Sequence, residues 1–187
     1  MSLQAPPAQG GERIVRRSLS LSVIDGVLHA VMVGVSESYF GALAVELGHR
    51  DAALAIFATV PLVCGALAQL LSAPLVALFG SRRRLVILGA TLQALTHVAF
   101  YVIATTGERS LLPLLLAQIA FWVSGMAIAP AWNTWMAVLT EHVPRARYFA
   151  WRSTTIQLVL LCAFVGGGFL LEHGRARGNE AVLETFA

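Results

Sequence analysis

Five runs of residues, each longer than 20 and nearly free of charge, divide this chain of 187 residues. A helix rises 1.5 Å per residue, so about 20 apolar residues cross the hydrocarbon layer of a bilayer. The runs cover residues 18–46, 52–79, 85–106, 111–139 and 149–171. Hydrophobic residues make up 57% of the chain and charged residues 12%, where an average soluble domain carries about 25% charged. One core of this size cannot bury that much apolar surface, so the excess must face lipid. Inside hydrocarbon every backbone group must be satisfied within the segment. The expected fold is therefore all-α, a polytopic membrane helical bundle of five spans.

Residues 1–17 contain Pro, Gly and Gln without an apolar period and read as a disordered tail. They are not a secretory signal, because the apolar run that follows is far longer than the 7 to 15 residues such a signal uses. The connections "GHRD", "GSRRR", "GERS" and "EHVPRARY" are short, which makes successive spans antiparallel. There is no lysine, and nine of the thirteen arginines fall on one face of that arrangement: Arg13, Arg16, Arg17, Arg82, Arg83, Arg84, Arg145, Arg147 and Arg152. Arg50, Arg109, Arg175 and Arg177 fall on the other. By the positive-inside rule the N-terminus is expected in the cytoplasm and residues 172–187 outside, as in a multi-pass protein of a bacterial-type inner membrane.

The net charge of +3 does not indicate a nucleic-acid partner, since the charges cluster in short loops and form no stripe. Cys64 and Cys162 lie in apolar runs without Cys or His at metal-ligand spacing, so they read as small packing residues and neither metal nor cofactor is expected. No nucleophile constellation or phosphate loop is present, and the chain does not read as an enzyme.

A charged group deep in a span is costly and ordinarily faces a partner or a water-filled cavity. The first run holds Asp25, His29 and Glu37, the third Gln93 and His97, and the fourth Gln118 and Asn133. At about 100° per residue, Ser22, Asp25, His29 and Ser36 share one helical face. Glu37 falls about 120° from Asp25 and about 18 Å further along the axis, so the two carboxylates do not form a catalytic pair. Two readings of the stripe are open: a cavity wall in which Asp25 and His29 bind a proton or a solute group, or a structural acid paired with a loop arginine beside a hydrogen-bonded histidine. Glu37, flanked by Ser36, Ser38 and Tyr39, reads as a cavity residue. His97 is a candidate coupling residue or a helix–helix hydrogen bond. Trp122, Trp132 and Trp135 either stack on a ligand or pack the bundle. Pro113, Pro130 and the triplet Gly166–Gly168 suit helices that bend or approach closely.

The residues around the triple arginine carry a family likeness. "APLVALFGSRRR" resembles the loop between the second and third spans of the major facilitator superfamily, Gly-x-Leu-Ala-Asp-Arg-Phe-Gly-Arg-Arg. Leu75 falls on its Leu, Phe79 and Gly80 on its Phe-Gly, and Arg82, Arg83 and Arg84 on its basic end. Ala73, Ala77 and Leu78 replace its Gly, Asp and Arg, so the acid that pairs across the cytoplasmic gate in that family is missing. "PAWNTWMAVLTEHVPRARYFAWR" is similar to the fourth span and following loop of many bacterial members, through Pro130 to Met136 and Arg145 to Phe149. In "FWVSG", Phe121 stands where proton-coupled drug exporters carry an arginine, which argues against that activity.

The likeness implies a secondary transporter of two six-helix halves that moves a small solute by alternating access, with this chain as most of the first half. "EAVLETFA" reads as the entrance to a sixth helix. The implied partners are the lipid bilayer, a small-molecule solute, and the missing C-terminal half or another membrane subunit. Gly80 and Arg82 to Arg84 form the expected cytoplasmic gate loop. Asp25, His29, Glu37, His97 and Asn133 are the candidate solute or coupling-ion residues. The alternative is a non-transporting membrane scaffold or assembly factor built on the same half-fold.

Overall fold

The computed structural model describes residues 9–141 and 143–177. Its helices are α1 (Gln9–Val35), α2 (Phe40–Glu46), α3 (Ala52–Ala68), α4 (Ser72–Phe79), α5 (Arg82–Thr106), α6 (Leu111–Leu139) and α7 (Arg145–Arg177). They make five spans long and apolar enough to cross a membrane: Arg13–Glu46, Ala52–Phe79, Arg82–Thr106, Leu111–Leu139 and Arg145–Ala176. No strand occurs among the described residues. α1 begins at Gln9, inside the stretch read as an irregular tail, while the expected sixth-helix entrance lies outside the described residues.

Two of the spans are broken. Pro74 is the third residue of α4 and has no N–H to give the carbonyl one turn back, so α3 tightens into a 3-10 turn at Gln69–Leu71 before α4 begins. The first span contains no proline. Its break at Ser36, where φ is −124° and ψ −66°, is followed by a 3-10 turn at Glu37–Tyr39. Serine hydroxyls add bonds at the break: Ser36 Oγ donates at 2.6 Å to the Met32 carbonyl, which also keeps the Ser36 N–H at 3.0 Å, and Ser38 Oγ donates to the Val33 carbonyl at 2.9 Å. Such side chains offer the backbone a local alternative to the helical ladder.

The spans pack as two groups. α1 lies along α7, while α3 and α5 both lie against α6. A glycine sits at each crossing. A Cβ on Gly34 of α1 would stand 2.9 Å from the Leu160 carbonyl of α7, and one on Gly65 of α3 3.0 Å from the Trp122 carbonyl of α6. One on Gly89 of α5 would stand 3.1 Å from the Ser124 carbonyl of α6. Helix association in lipid is driven by such close backbone approach, since burying apolar area there gains little over lipid contact. Large apolar side chains accordingly stay on the outside of every span, Leu28, Leu67, Leu95, Leu116 and Phe169 among them.

The groups meet at one end in an aromatic core. Phe40 stacks on Phe100 with ring centroids 4.0 Å apart and meets Phe121 edge-on at 5.4 Å, amid Leu43, Leu47, Phe57 and Leu114. At the other end α6 and α7 are joined by a short connection that Arg145 holds. Its Nε donates to Thr140 Oγ1 at 3.0 Å and its Nη2 to the Ala137 carbonyl. A cation on the last carbonyls of α6 is favoured by the helix dipole.

Arg82, Arg83 and Arg84 stand in the opposite situation, exposed in the first turn of α5, where the dipole disfavours cations. They follow a tight turn in which Gly80 adopts φ 65°, a left-handed value that glycine takes without strain. Helix capping therefore does not explain their position.

Candidate functional site: a cavity between two helix groups

A cavity of about 530 Å³ lies between the two groups. One wall comes from α1 and α7, with Asp25, His29, Arg152 and the adjoining Glu37; the other comes from α5 and α6, with Gln93, Phe121, Trp122, Trp132 and Asn133. Its volume falls within the roughly 300–1,000 Å³ of small-molecule sites.

Asp25 and His29 follow each other by one turn on α1, so their shared wall is what helical spacing dictates. Glu37 joins them for a different reason. A straight helix would turn it well away from Asp25, but the break at Ser36 resets the rotation, and Glu37 lines the cavity as well. Asp25 is exposed to the cavity and makes no ion pair; the one ion pair among the described residues joins Arg175 to Glu46 at the far ends of the first and fifth spans. The pairing of Asp25 with a loop arginine, one of the two readings of the stripe, is therefore absent from the geometry.

Arg152 is the residue that sequence reasoning placed elsewhere. It lies within the fifth apolar run, 149–171, and counts by charge asymmetry with the arginines of the cytoplasmic face, but α7 already starts at Arg145. Arg152 is thus about 10 Å inside the helix. Its guanidinium lies 4.7 Å from the centroid of the Trp132 ring, and Nε and Nη2 donate to the Ser22 carbonyl at 3.3 and 3.2 Å. A cation over an indole face is attracted by the ring quadrupole. Gly26 makes the placement feasible: a Cβ there would stand 2.7 Å from Arg152 Nη2 and 2.4 Å from Ile156 Cδ1.

The remaining candidates divide. Trp122, Trp132 and Asn133 line the cavity, and Trp135, half-buried on the same helix, does not. His97 is outside the lining: its Nε2 lies 3.0 Å from Ser36 Oγ and its Nδ1 3.1 Å from the Gln93 carbonyl, with the ring tilted against Phe40 and Phe121. It ties the third span to the broken turn of the first. Gly80 and Arg82 to Arg84 lie at the end of the α4–α5 hairpin, apart from the cavity. Cys162 is exposed on the outside of α7 and Cys64 half-buried, so only the latter sits where a packing residue would.

Neither the curated proteins nor the solved structures give a match to the chain. The sequence model of the Major Facilitator Superfamily matches residues 26–178, a stretch that contains "APLVALFGSRRR", all of α3 to α6 and both cavity residues of α7. With its five membrane spans and a match over most of its length, this multi-pass membrane chain belongs to the major facilitator superfamily of transporters.

Proposed function

We propose that the cavity is the solute site of a secondary transporter, and that the chain supplies one side of an alternating-access pathway. One observation carries the reading: ionisable side chains of α1, the adjoining turn and α7 converge with the indoles of α6 on one cavity within the bundle. Ionisable groups in spans are expensive and face a pathway or one another, and Asp25 makes no ion pair among the described residues. Asp25, His29 and Glu37 bind and release a solute group or a coupling ion, Asn133 and Gln93 supply hydrogen bonds, and the indoles supply an apolar wall. A second bundle, the C-terminal half or another membrane subunit, closes the pathway from the opposite side.

The sidedness follows from arginine. With Arg152 assigned to the cavity, eight arginines remain on the face of the α4–α5 hairpin and four on the other, which orients the N-terminus to the cytoplasm of an inner membrane. The scaffold alternative gains nothing from the geometry, because a scaffold has no use for unpaired charges around an internal cavity.

The test is counterflow in proteoliposomes made with the full-length gene product, loaded with a mixed panel of sugars, nucleosides, organic acids and amino acids. Exchange of at least one class, abolished in Asp25→Asn and Glu37→Gln, is the expected result. Absence of exchange for every class in correctly folded protein rejects the transport reading.

A further inference from the structure

We infer that the cavity takes a zwitterionic solute, one that carries a carboxylate and an ammonium on the same carbon of an apolar body, with Arg152 as the ligand of the carboxylate and Asp25 as that of the ammonium. The inference rests on the reading of the cavity as a solute site and names the chemical class that fits it.

Three features of the wall lead there. The Arg152 guanidinium is held in place, with its Cζ 4.7 Å from the centroid of the Trp132 ring and the Ser22 carbonyl at its Nε and Nη2 edge. Of its five N–H donors, those on Nη1 have no partner among the described residues. Asp25 is on the same wall, next to Gly26, over which the guanidinium lies, yet no ion pair joins the two. A cation and an anion thus line one wall of a membrane cavity without a direct ion pair between them.

The charges then select by exclusion. A purely anionic solute at Arg152 meets Asp25 at once and Glu37 further along; a purely cationic one meets Arg152. A neutral solute leaves both charges of the wall without a partner in a place where that is costly. A zwitterion whose two charges are one carbon apart completes both. His29, one turn beyond Asp25, faces the same volume, and Glu37 is left free for a second ion. The apolar body of the solute rests on Trp122, Phe121 and Ile128 across the cavity. Lysine does not replace Arg152 here, because its point charge has neither the planar fork for a carboxylate nor the flat face for an indole.

The experiment uses purified full-length protein in detergent and three probes on one scaffold: phenylalanine, its methyl ester and N-acetylphenylalanine. Binding is followed by thermal stabilisation and calorimetry. Phenylalanine is expected to bind at least tenfold more tightly than either derivative. Arg152→Lys and Asp25→Asn are each expected to lose at least tenfold, with the elution volume of the parent kept in both and its unliganded Tm kept in Asp25→Asn. Equal or tighter binding of the ester, equal or tighter binding of the N-acetyl derivative, or no binding of any of the three overturns the inference, and these outcomes need no variant. The counterflow panel separates the two levels. Exchange of solutes that are not zwitterions, with no amino acid exchanged, overturns the inference and upholds transport; phenylalanine binding without exchange upholds the site and overturns transport.

Discussion

The ring of Tyr39 occupies the space that a side chain at position 167 would need: a Cβ on Gly167 would stand 2.7 Å from Tyr39 Cε2. The tyrosine hydroxyl donates to the Phe164 carbonyl and its ring stacks on Phe164 with centroids 5.4 Å apart. The glycine triplet of α7 is therefore a seat for the turn that follows the break in the first span. Gly167→Val is expected to lower stability by about 1–3 kcal/mol, the range for forcing volume into a packed site. Gly166→Ala, which meets open space, should stay within about 0.5 kcal/mol of the parent. Thermal unfolding in detergent reads both, and Tyr39→Ala in the Gly167→Val background should restore part of the loss. Equal penalties at positions 166 and 167 would show that the triplet acts through flexibility instead.

Asp25→Asn should leave stability within about 0.5 kcal/mol, as for a substitution that breaks no partner, because no ion pair is lost. Solute exchange should nevertheless fall to background. A large drop in Tm with exchange lost in proportion would mean that the carboxylate holds the fold.

Ser36 and His97 provide a bond between the first and third spans, 3.0 Å from Oγ to Nε2. A double-mutant cycle with Ser36→Ala and His97→Ala is expected to give a coupling of about 0.6 kcal/mol and no more than about 1.7, the span seen for polar bonds between membrane helices. Additive losses would show that the contact contributes nothing to stability.

Gly26→Ala should act at a distance from its own side chain. The added methyl displaces Arg152 Nη2 and Ile156 Cδ1, which would lie 2.7 and 2.4 Å away. Binding at the cavity is expected to weaken at least as much as stability falls, measured on the same preparation by calorimetry and thermal unfolding. Unaltered binding would separate Arg152 from the site.

For topology, cysteines at Ser81 and Ala176 in a background with Cys64→Ala and Cys162→Ala should react with a membrane-impermeant thiol reagent from opposite sides. Labelling of both from one side would contradict five antiparallel spans.

The spans and their hairpins could be read from the sequence because the bilayer imposes one rule along the whole chain, about 20 apolar residues between charges. The three arginines at positions 82 to 84 and the family of the chain were legible for the same reason: loops this short leave their motifs contiguous. What escaped was anything that depends on helix phase. Glu37 reads as a cavity residue from its polar neighbours, but counting 100° per residue puts it on a different face from Asp25, since nothing in "VSESYF" announces the break in the way Pro74 announces the one in the second span. Arg152 escaped because its place on the cavity depends on α7 starting as early as Arg145 and on the phase of that helix, which charge counting does not reveal. His97 and Trp135 show the converse: a polar or aromatic residue in a span carries no sign of whether it faces a cavity or a neighbour.

The Arg145 clamp and the Phe40 aromatic core have a joint consequence. They fasten the two helix groups to each other at opposite ends, with the cavity between the fastenings. A pair of levers joined at one end can swing apart, but a frame joined at both ends can only flex. Any change in the width of this cavity must then come from curvature of the helices themselves, concentrated where their ladders are interrupted: at Ser36, at Gln69–Leu71 and at Pro130.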